Sequence, residues 1–226
     1  MLSKRSLENI YIALLLPLAA CALGWAVYNF PAERLDWRLG GLAIIAVLFS
    51  SFLRIQLPKT KVHVTTSDAA IILSFLWYGG ETAIILSFLQ TAFTSLSYRW
   101  QGGAISSKTV SVNISIAIVA LFVTTMIVRG TFGSAPEVFA AGDVTKVILL
   151  IALMASALFL WNSALVSLFF AAKSDKSVFS VWSEYCLNTL VMYIGGAFMA
   201  GLGAKAISRF DALMIFVALA ISAVVY

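Results

Sequence analysis

The chain has 226 residues, of which 62% are hydrophobic and only 11% charged, and its mean hydropathy is +0.99. An ordinary soluble domain carries about 25% charged residues, and a compact soluble fold of this length cannot bury so much apolar surface. The composition therefore excludes a cytosolic enzyme, a secreted disulfide scaffold and a disordered chain. It predicts a polytopic membrane protein, whose principal surroundings are the lipid bilayer.

The apolar segments are long enough to form a bundle of membrane-spanning helices. A spanning helix needs about 20 apolar residues, and the sequence offers about eight candidates. Their approximate bounds are 10–30, 39–53, 68–79, 81–98, 105–128, 145–172, 178–204 and 211–226. The third is too short to cross alone, and we expect Gly79 and Gly80 to turn it into a tight hairpin with the fourth. The predicted fold is a single all-α membrane domain over residues 1–226.

The distribution of basic residues sets the expected orientation. The net charge is +5, and the basic residues lie in short clusters between apolar runs, which is typical of membrane-protein loops and not of a nucleic-acid-binding protein. With a cytoplasmic N-terminus, the cytoplasmic loops hold Lys4, Arg5, Arg54, Lys59, Lys61, Arg99, Lys108, Lys173 and Lys176. The external loops then hold Arg34, Arg38, Arg129, Lys146, Lys205 and Arg209. This bias predicts that both termini are cytoplasmic in a bacterial inner membrane.

Polar side chains inside predicted spans are candidate ligand contacts, because a polar group in hydrocarbon is costly. Four amides on four segments fall about 12–15 Å above the predicted cytoplasmic boundary, at 1.5 Å of rise per residue. These residues are Gln90, Asn113, Asn162 and Asn188. They are predicted to form one polar layer that contacts a ligand. The alternative is interhelical hydrogen bonding, which contributes about 0.6 kcal/mol per bond.

Two carboxylates, Asp68 and Glu184, lie nearer that boundary and are the remaining candidate ligand contacts. The alternative is that both are solvated acids near helix starts, where a negative charge suits the helix dipole. Cys21 and Cys186 lie inside apolar runs and are expected to be small buried hydrophobes. His63 is the only histidine, so no metal site is expected. No catalytic motif or cofactor-binding motif is found either.

The stretch Val62–Leu96 combines a β-like strip, a polar Ser-Asp pair, an apolar arm, a glycine turn and a second apolar arm. In this it is similar to the membrane substrate-binding subunits of energy-coupling-factor vitamin transporters. It more closely resembles the N-terminal multi-spanning sensory region of bacterial signalling proteins with GGDEF, HD-GYP or histidine-kinase outputs. Further matching features are Val112-Asn113, Trp161-Asn162, the basic linker Lys173–Lys176, and the run from Trp182 and Glu184 to Thr189.

The resemblance implies a sensory input domain that is not itself an enzyme. Such a domain binds a small or lipid-soluble ligand and regulates a cytoplasmic signalling output, cyclic-di-GMP synthesis in the first place. It acts within a homodimer, and its last helix leads into an output domain expected after Tyr226. Whether the whole protein is an enzyme depends on that output. The alternatives are a solute-binding subunit of a vitamin-type uptake transporter and a structural membrane anchor or dimerisation domain.

The predicted topology can be tested with reporter fusions. A reporter attached after Tyr226 should score cytoplasmic, and one inserted near Pro136 should score external, because the positive-inside bias orients the bundle. An external C-terminus would contradict the eight-span arrangement.

Overall fold

The computed structural model describes residues 4–44, 46–47, 54–56, 63–65, 68–174, 176–186, 189–190, 193–197 and 201, and this part is predominantly helical. The helices are α1 (Lys4–Tyr28), α2 (Trp37–Ile44), α3 (Asp68–Tyr78), α4 (Gly80–Trp100), α5 (Ser107–Phe132), α6 (Ala135–Ala140), α7 (Val144–Lys173) and α8 (Val178–Val181). A 3₁₀ turn covers Ala32–Arg34, and a π-helical turn covers Trp182–Cys186. Two short strands, β1 (Arg54–Gln56) and β2 (His63–Thr65), pair antiparallel with Ile55 opposite Val64.

Three of these helices are long and apolar enough to cross a membrane. They are the Ser6–Tyr28 part of α1 (23 residues), α5 (26 residues) and α7 (30 residues). At 1.5 Å per residue their lengths are about 35 to 45 Å, against a hydrocarbon core of about 30 Å. The helical bundle and its membrane character therefore agree with the sequence prediction.

The number of spans stays a prediction. The predicted second span is described as a helix only over Trp37–Ile44, and most of its remainder lies outside the described residues. The predicted seventh span is described in short helical pieces from Val178 onward. The predicted eighth span, 211–226, lies outside the described residues altogether.

Helix α5 lies at the centre of the described bundle and packs against α1, α4 and α7. Helix α1 presents a buried stripe to the bundle, formed by Leu15, Ala19, Ala22 and Ala26. These residues are four, three and four positions apart, so they share one helix face. Because three of them are alanines, the neighbouring backbone can approach closely, as small residues allow in membrane helix pairs.

The bundle has two ends, which we name by their residues. The amino end comprises residues 4–9, 100–108 and 173, where Glu8 Oε1 lies 3.1 Å from Lys108 Nζ and 3.7 Å from Lys173 Nζ. The hairpin end comprises residues 28–37, 78–81 and 129–144. Successive long helices α4, α5 and α7 alternate in direction between these ends, as antiparallel helices joined by short connections do.

The hairpin predicted at the two glycines is present. Helix α3 ends at Tyr78, α4 begins at Gly80, and Gly79 between them has a φ of +96°, a conformation that disfavours any residue with a Cβ. Helix α3 has 11 residues and is about 17 Å long, so it cannot cross a bilayer alone. Its side chains Ile72, Phe75 and Leu76 are almost fully buried, which embeds this short arm within protein.

Gly80 permits the closest approach between α4 and α5. A Cβ on Gly80 would lie 2.2 Å from Thr125 Oγ1 and 2.3 Å from Thr125 Cγ2. Thr125 cannot easily turn away, because it is buried and its hydroxyl donates a hydrogen bond to the Leu121 carbonyl at 2.8 Å. At the hairpin end, the α4 backbone at Gly80 therefore packs directly against the Thr125 side chain of α5.

We predict that Gly80→Ala lowers the free energy of unfolding by about 1–3 kcal/mol, the usual cost of overpacking a core. Adding Thr125→Ala should restore part of that loss, because it removes both atoms of closest contact. The matched control is Gly24→Ala in α1, where an added Cβ meets nothing within 4 Å. Denaturation of the purified chain in detergent micelles checks this. Equal stability of the Gly80→Ala and Gly24→Ala variants would contradict the packing argument.

Candidate functional site

The amides predicted to form a polar layer have different surroundings in the structure. Gln90 is buried on α4, whereas Asn113 on α5 is exposed. Asn162 on α7 is half-buried and donates a hydrogen bond from Nδ2 to the Tyr193 hydroxyl at 2.8 Å. Asn188 lies outside the described residues. The Asn162 contact is a hydrogen bond between protein side chains, as in the alternative of interhelical hydrogen bonding. That all four amides form one layer in contact with a ligand stays a prediction.

Of the two predicted carboxylates, the structure describes the surroundings of Glu184 only. Asp68 is the first residue of α3, and its side chain lies outside the described part. Glu184 in the π-helical turn is 45% exposed and forms an ion pair with Lys176. A half-exposed pair of this kind is worth about 0–1 kcal/mol. Glu184 therefore matches the solvated alternative more closely than a buried ligand contact.

A different charged pair lies at the hairpin end. Glu81, in the first turn of α4, forms an ion pair with Arg129 in the last turn of α5. The Glu81 side chain is only 5% exposed, whereas that of Arg129 is 46% exposed. The pair is thus asymmetric: the carboxylate is shielded by protein, and the guanidinium reaches from it toward the surface.

An aromatic side chain on a third helix completes this junction. The Arg129 Cζ lies 5.0 Å from the centre of the Trp25 ring on α1, within the range of a cation–π contact. Trp25 in turn packs edge-to-face on Phe122, with 5.3 Å between ring centres. Arg129 therefore joins α1, α4 and α5, and its planar group suits both a carboxylate and an aromatic face.

A cavity of about 150 Å³ opens beside this junction. It is bounded by α3, the glycine turn, α4, α5, the loop before α6 and the loop after α1. Its polar lining side chains are Asn29, Arg34, Tyr78, Glu81, Thr125, Arg129 and Ser134. Two guanidinium groups and one carboxylate line it, so the lining has one positive charge in excess.

A second polar contact fixes the rim of the cavity. The Tyr78 hydroxyl donates a hydrogen bond to Asp36 Oδ1 at 2.6 Å, and the Leu39 backbone N–H donates to the same oxygen at 2.9 Å. Asp36 thereby caps α2 and ties its start to the end of α3. Burial acts to raise the pKa of the Asp36 carboxyl, but these hydrogen bonds stabilise its charged form and bring the pKa below its usual value.

The chemistry available at the cavity is binding by charge and hydrogen bonds. Within the described residues no group of three or more His, Cys, Asp or Glu side chains could hold a metal ion. The cavity lining contains neither His nor Cys. The residues that are present can hold a small polar or anionic molecule, and Arg129 connects the cavity to three helices.

The sequence contains a signal for this site at the ends of two apolar segments. A search for polar residues in the middle of the spans does not detect it. Glu81 follows two glycines directly at the start of an apolar segment, and Arg129 stands at the end of the next one. In an antiparallel pair such ends meet. The fifth span was predicted to end at 128, whereas α5 continues to Phe132 in the structure, and Ala135–Ala140 beyond it is helical. This extra turn of α5 places Arg129 on the helix face that reaches Glu81.

Comparison of the chain with protein-family models, curated proteins and solved structures finds no match.

We predict that removing the charge of Arg129 destabilises the fold more than removing the charge of Glu81. Arg129→Gln should lower the free energy of unfolding by about 1–3 kcal/mol, because it leaves a buried carboxylate without a countercharge. Glu81→Gln should cost about 1 kcal/mol or less, since the half-exposed guanidinium can turn to water.

Chemical denaturation in detergent micelles measures these differences, and Lys176→Gln, which breaks an exposed pair, is the matched control. The double variant Glu81→Gln/Arg129→Gln should be more stable than Arg129→Gln alone. A double variant that loses the sum of the two single effects would show that the two side chains are not coupled.

Proposed function

We propose that the chain is a membrane-embedded sensory input domain that binds a small ligand in the hairpin-end cavity and regulates a cytoplasmic signalling output. In this proposal the bundle has about eight spans in a bacterial inner membrane, with both termini in the cytoplasm. The amino end then faces the cytoplasm, and the hairpin end faces outward, where a solute can reach the cavity.

The observation that carries the proposal is the placement of α5. One end of this helix bears Arg129, which lines the cavity and pairs with Glu81. Its other end bears Lys108, which shares Glu8 with Lys173, the last residue of α7. These two positions are 21 residues apart, about 32 Å along a helix. Helix α5 is thus a rigid connection between the cavity and the amino end, from which the chain continues after α7.

The mechanism is a shift of population between two arrangements of the bundle. A ligand favours whichever arrangement binds it better, and only by the difference in affinity. Arg129 holds α1, α4 and α5 together. A ligand that accepts hydrogen bonds from Arg129 therefore changes the packing of these helices at the hairpin end. Because the helices are rigid, their opposite ends, which bear Glu8, Lys108 and Lys173, are displaced as well.

The output in this proposal is the synthesis of cyclic-di-GMP by a diguanylate cyclase domain, which acts as a homodimer in the signalling proteins that the sequence resembles. In this proposal the polar layer predicted at Gln90, Asn113, Asn162 and Asn188 is a level of the bundle between the cavity and the amino end. It is a second place at which the two arrangements can differ in their hydrogen bonds.

A chimera tests this function. The chain is fused after Tyr226 to a diguanylate cyclase domain, through linkers of three consecutive lengths so that at least one preserves the helical register. The Arg129→Gln chimera should differ from the wild-type chimera in cyclic-di-GMP formed per molecule by several-fold. The matched control is Lys146→Gln, which removes a cation in the first turn of α7 that does not line the cavity.

Equal cyclase activity of the wild-type and Arg129→Gln chimeras at every linker length, with equal amounts in the membrane, would contradict a sensory role. That result would favour an uptake subunit or a structural anchor.

A further inference from the structure

We propose that the hairpin-end cavity binds a short-chain carboxylate, held by Arg34 and by the N–H groups of Arg129 that Glu81 leaves open. This inference names the ligand class of the proposed sensory site and so rests on the proposed function. It is argued from charge, from size and from the donors that face the cavity.

The charge of the lining favours an anion. Arg34 and Arg129 both line the cavity, and Glu81 supplies the lining's only carboxylate. Asp36 at the rim is already engaged by the Tyr78 hydroxyl and the Leu39 N–H. Among the residues that the structure describes, Arg34 makes no ion pair with an acid. An anion in the cavity would therefore meet a guanidinium whose charge is not already neutralised by a neighbour.

The donors suit an oxyanion such as a carboxylate. A guanidinium has five N–H donors in a fixed fork and binds a carboxylate through two parallel hydrogen bonds. Arg129 already binds one carboxylate, that of Glu81, through Nη2. Because the Arg129 side chain is 46% exposed, its other donors are accessible from the cavity side. The Ser134 hydroxyl also lines the cavity and can donate a further hydrogen bond.

The volume favours a small ligand. The cavity of about 150 Å³ is several times the volume of about 30 Å³ that a water molecule takes up in the liquid, so it has room for a ligand of a few non-hydrogen atoms. Cavities for drug-sized ligands are larger, about 300–1,000 Å³. Propionate, with three carbon and two oxygen atoms, fits this volume. A ligand of this size binds micromolar at best.

The experiment is calorimetric titration of the full 226-residue chain in phosphatidylcholine nanodiscs with sodium propionate. Its neutral isostere propionamide and inorganic phosphate are titrated in parallel. Propionate should bind, and propionamide should bind at least about tenfold more weakly. Phosphate should bind more weakly than propionate because it carries more negative charge than the single positive charge in excess on the lining can balance.

The variants separate a binding role from a structural one. Arg129→Gln and Arg34→Gln should each weaken propionate binding by about tenfold or more, and Lys146→Gln should leave it unchanged. Glu81→Gln should strengthen propionate binding, because it removes the only negative charge from the lining. A purely structural role for the ion pair would instead make Glu81→Gln weaken binding as Arg129→Gln does.

The inference is overturned if propionate does not bind, if propionamide or phosphate binds equally well or better, or if Glu81→Gln weakens binding. Failure here is distinguishable from failure of the proposed function. If Arg129→Gln alters the output of the chimera but propionate does not bind, then the ligand class is wrong and the sensory role stands. If propionate binds but the output never responds, then the site is real and the sensory role is wrong.

Discussion

The described structure depends on a carboxylate that is buried against the end of a membrane helix. Glu81 is shielded from solvent, and an unpaired charge in such surroundings is costly, so its partner Arg129 must be held within reach. This requirement fixes the last turn of α5 against the first turn of α4. The glycine turn makes the approach possible, since Gly80 has no Cβ to meet Thr125. The close packing of α4 and α5 therefore brings Glu81 and Arg129 within reach, and their ion pair in turn stabilises that packing.

The same pair explains why a cavity exists at the hairpin end. Side chains that fill a protein core are apolar and interdigitate, but a guanidinium that serves both a carboxylate and an indole ring cannot also fill the space around it. Arg129 extends past Trp25 toward the surface, and the 3₁₀ turn after α1 brings Arg34 to the cavity lining. A small polar cavity with excess positive charge results, next to the element that holds three helices together.

The sequence predicted those features that depend on composition and on local backbone freedom. Apolar runs identified α1, α5 and α7 because length and hydropathy alone decide whether a helix suits a bilayer. The hairpin was predictable because Gly79 adopts a positive φ that other residues avoid. The continuation of α5 to Phe132 was not predictable, since a basic residue such as Arg129 at the end of an apolar segment is assigned to a loop unless its partner Glu81 is known.

The candidate site was not predictable from depth along single helices. Counting residues places amides at one level of the membrane but leaves open which way each side chain faces. Asn113 is exposed and Asn162 bonds to Tyr193, and neither orientation follows from position in the sequence. Glu81 and Arg129 are 48 residues apart, and only the antiparallel packing of α4 and α5 brings them together. Pairing across helix ends is therefore the better sequence signal for sites of this kind.

Arg129 holds the hairpin ends of α1, α4 and α5 together. This role is tested most directly by the distance between spin labels at Val27 and Thr131, measured by double electron–electron resonance after Cys21 and Cys186 are replaced with alanine. Both positions are exposed, Thr131 within the hairpin end and Val27 directly before it. Arg129→Gln should broaden this distance distribution, while labels at Ile10 and Ser111, toward the amino end, should keep theirs. An unchanged distribution between Val27 and Thr131 in the Arg129→Gln variant would contradict the account.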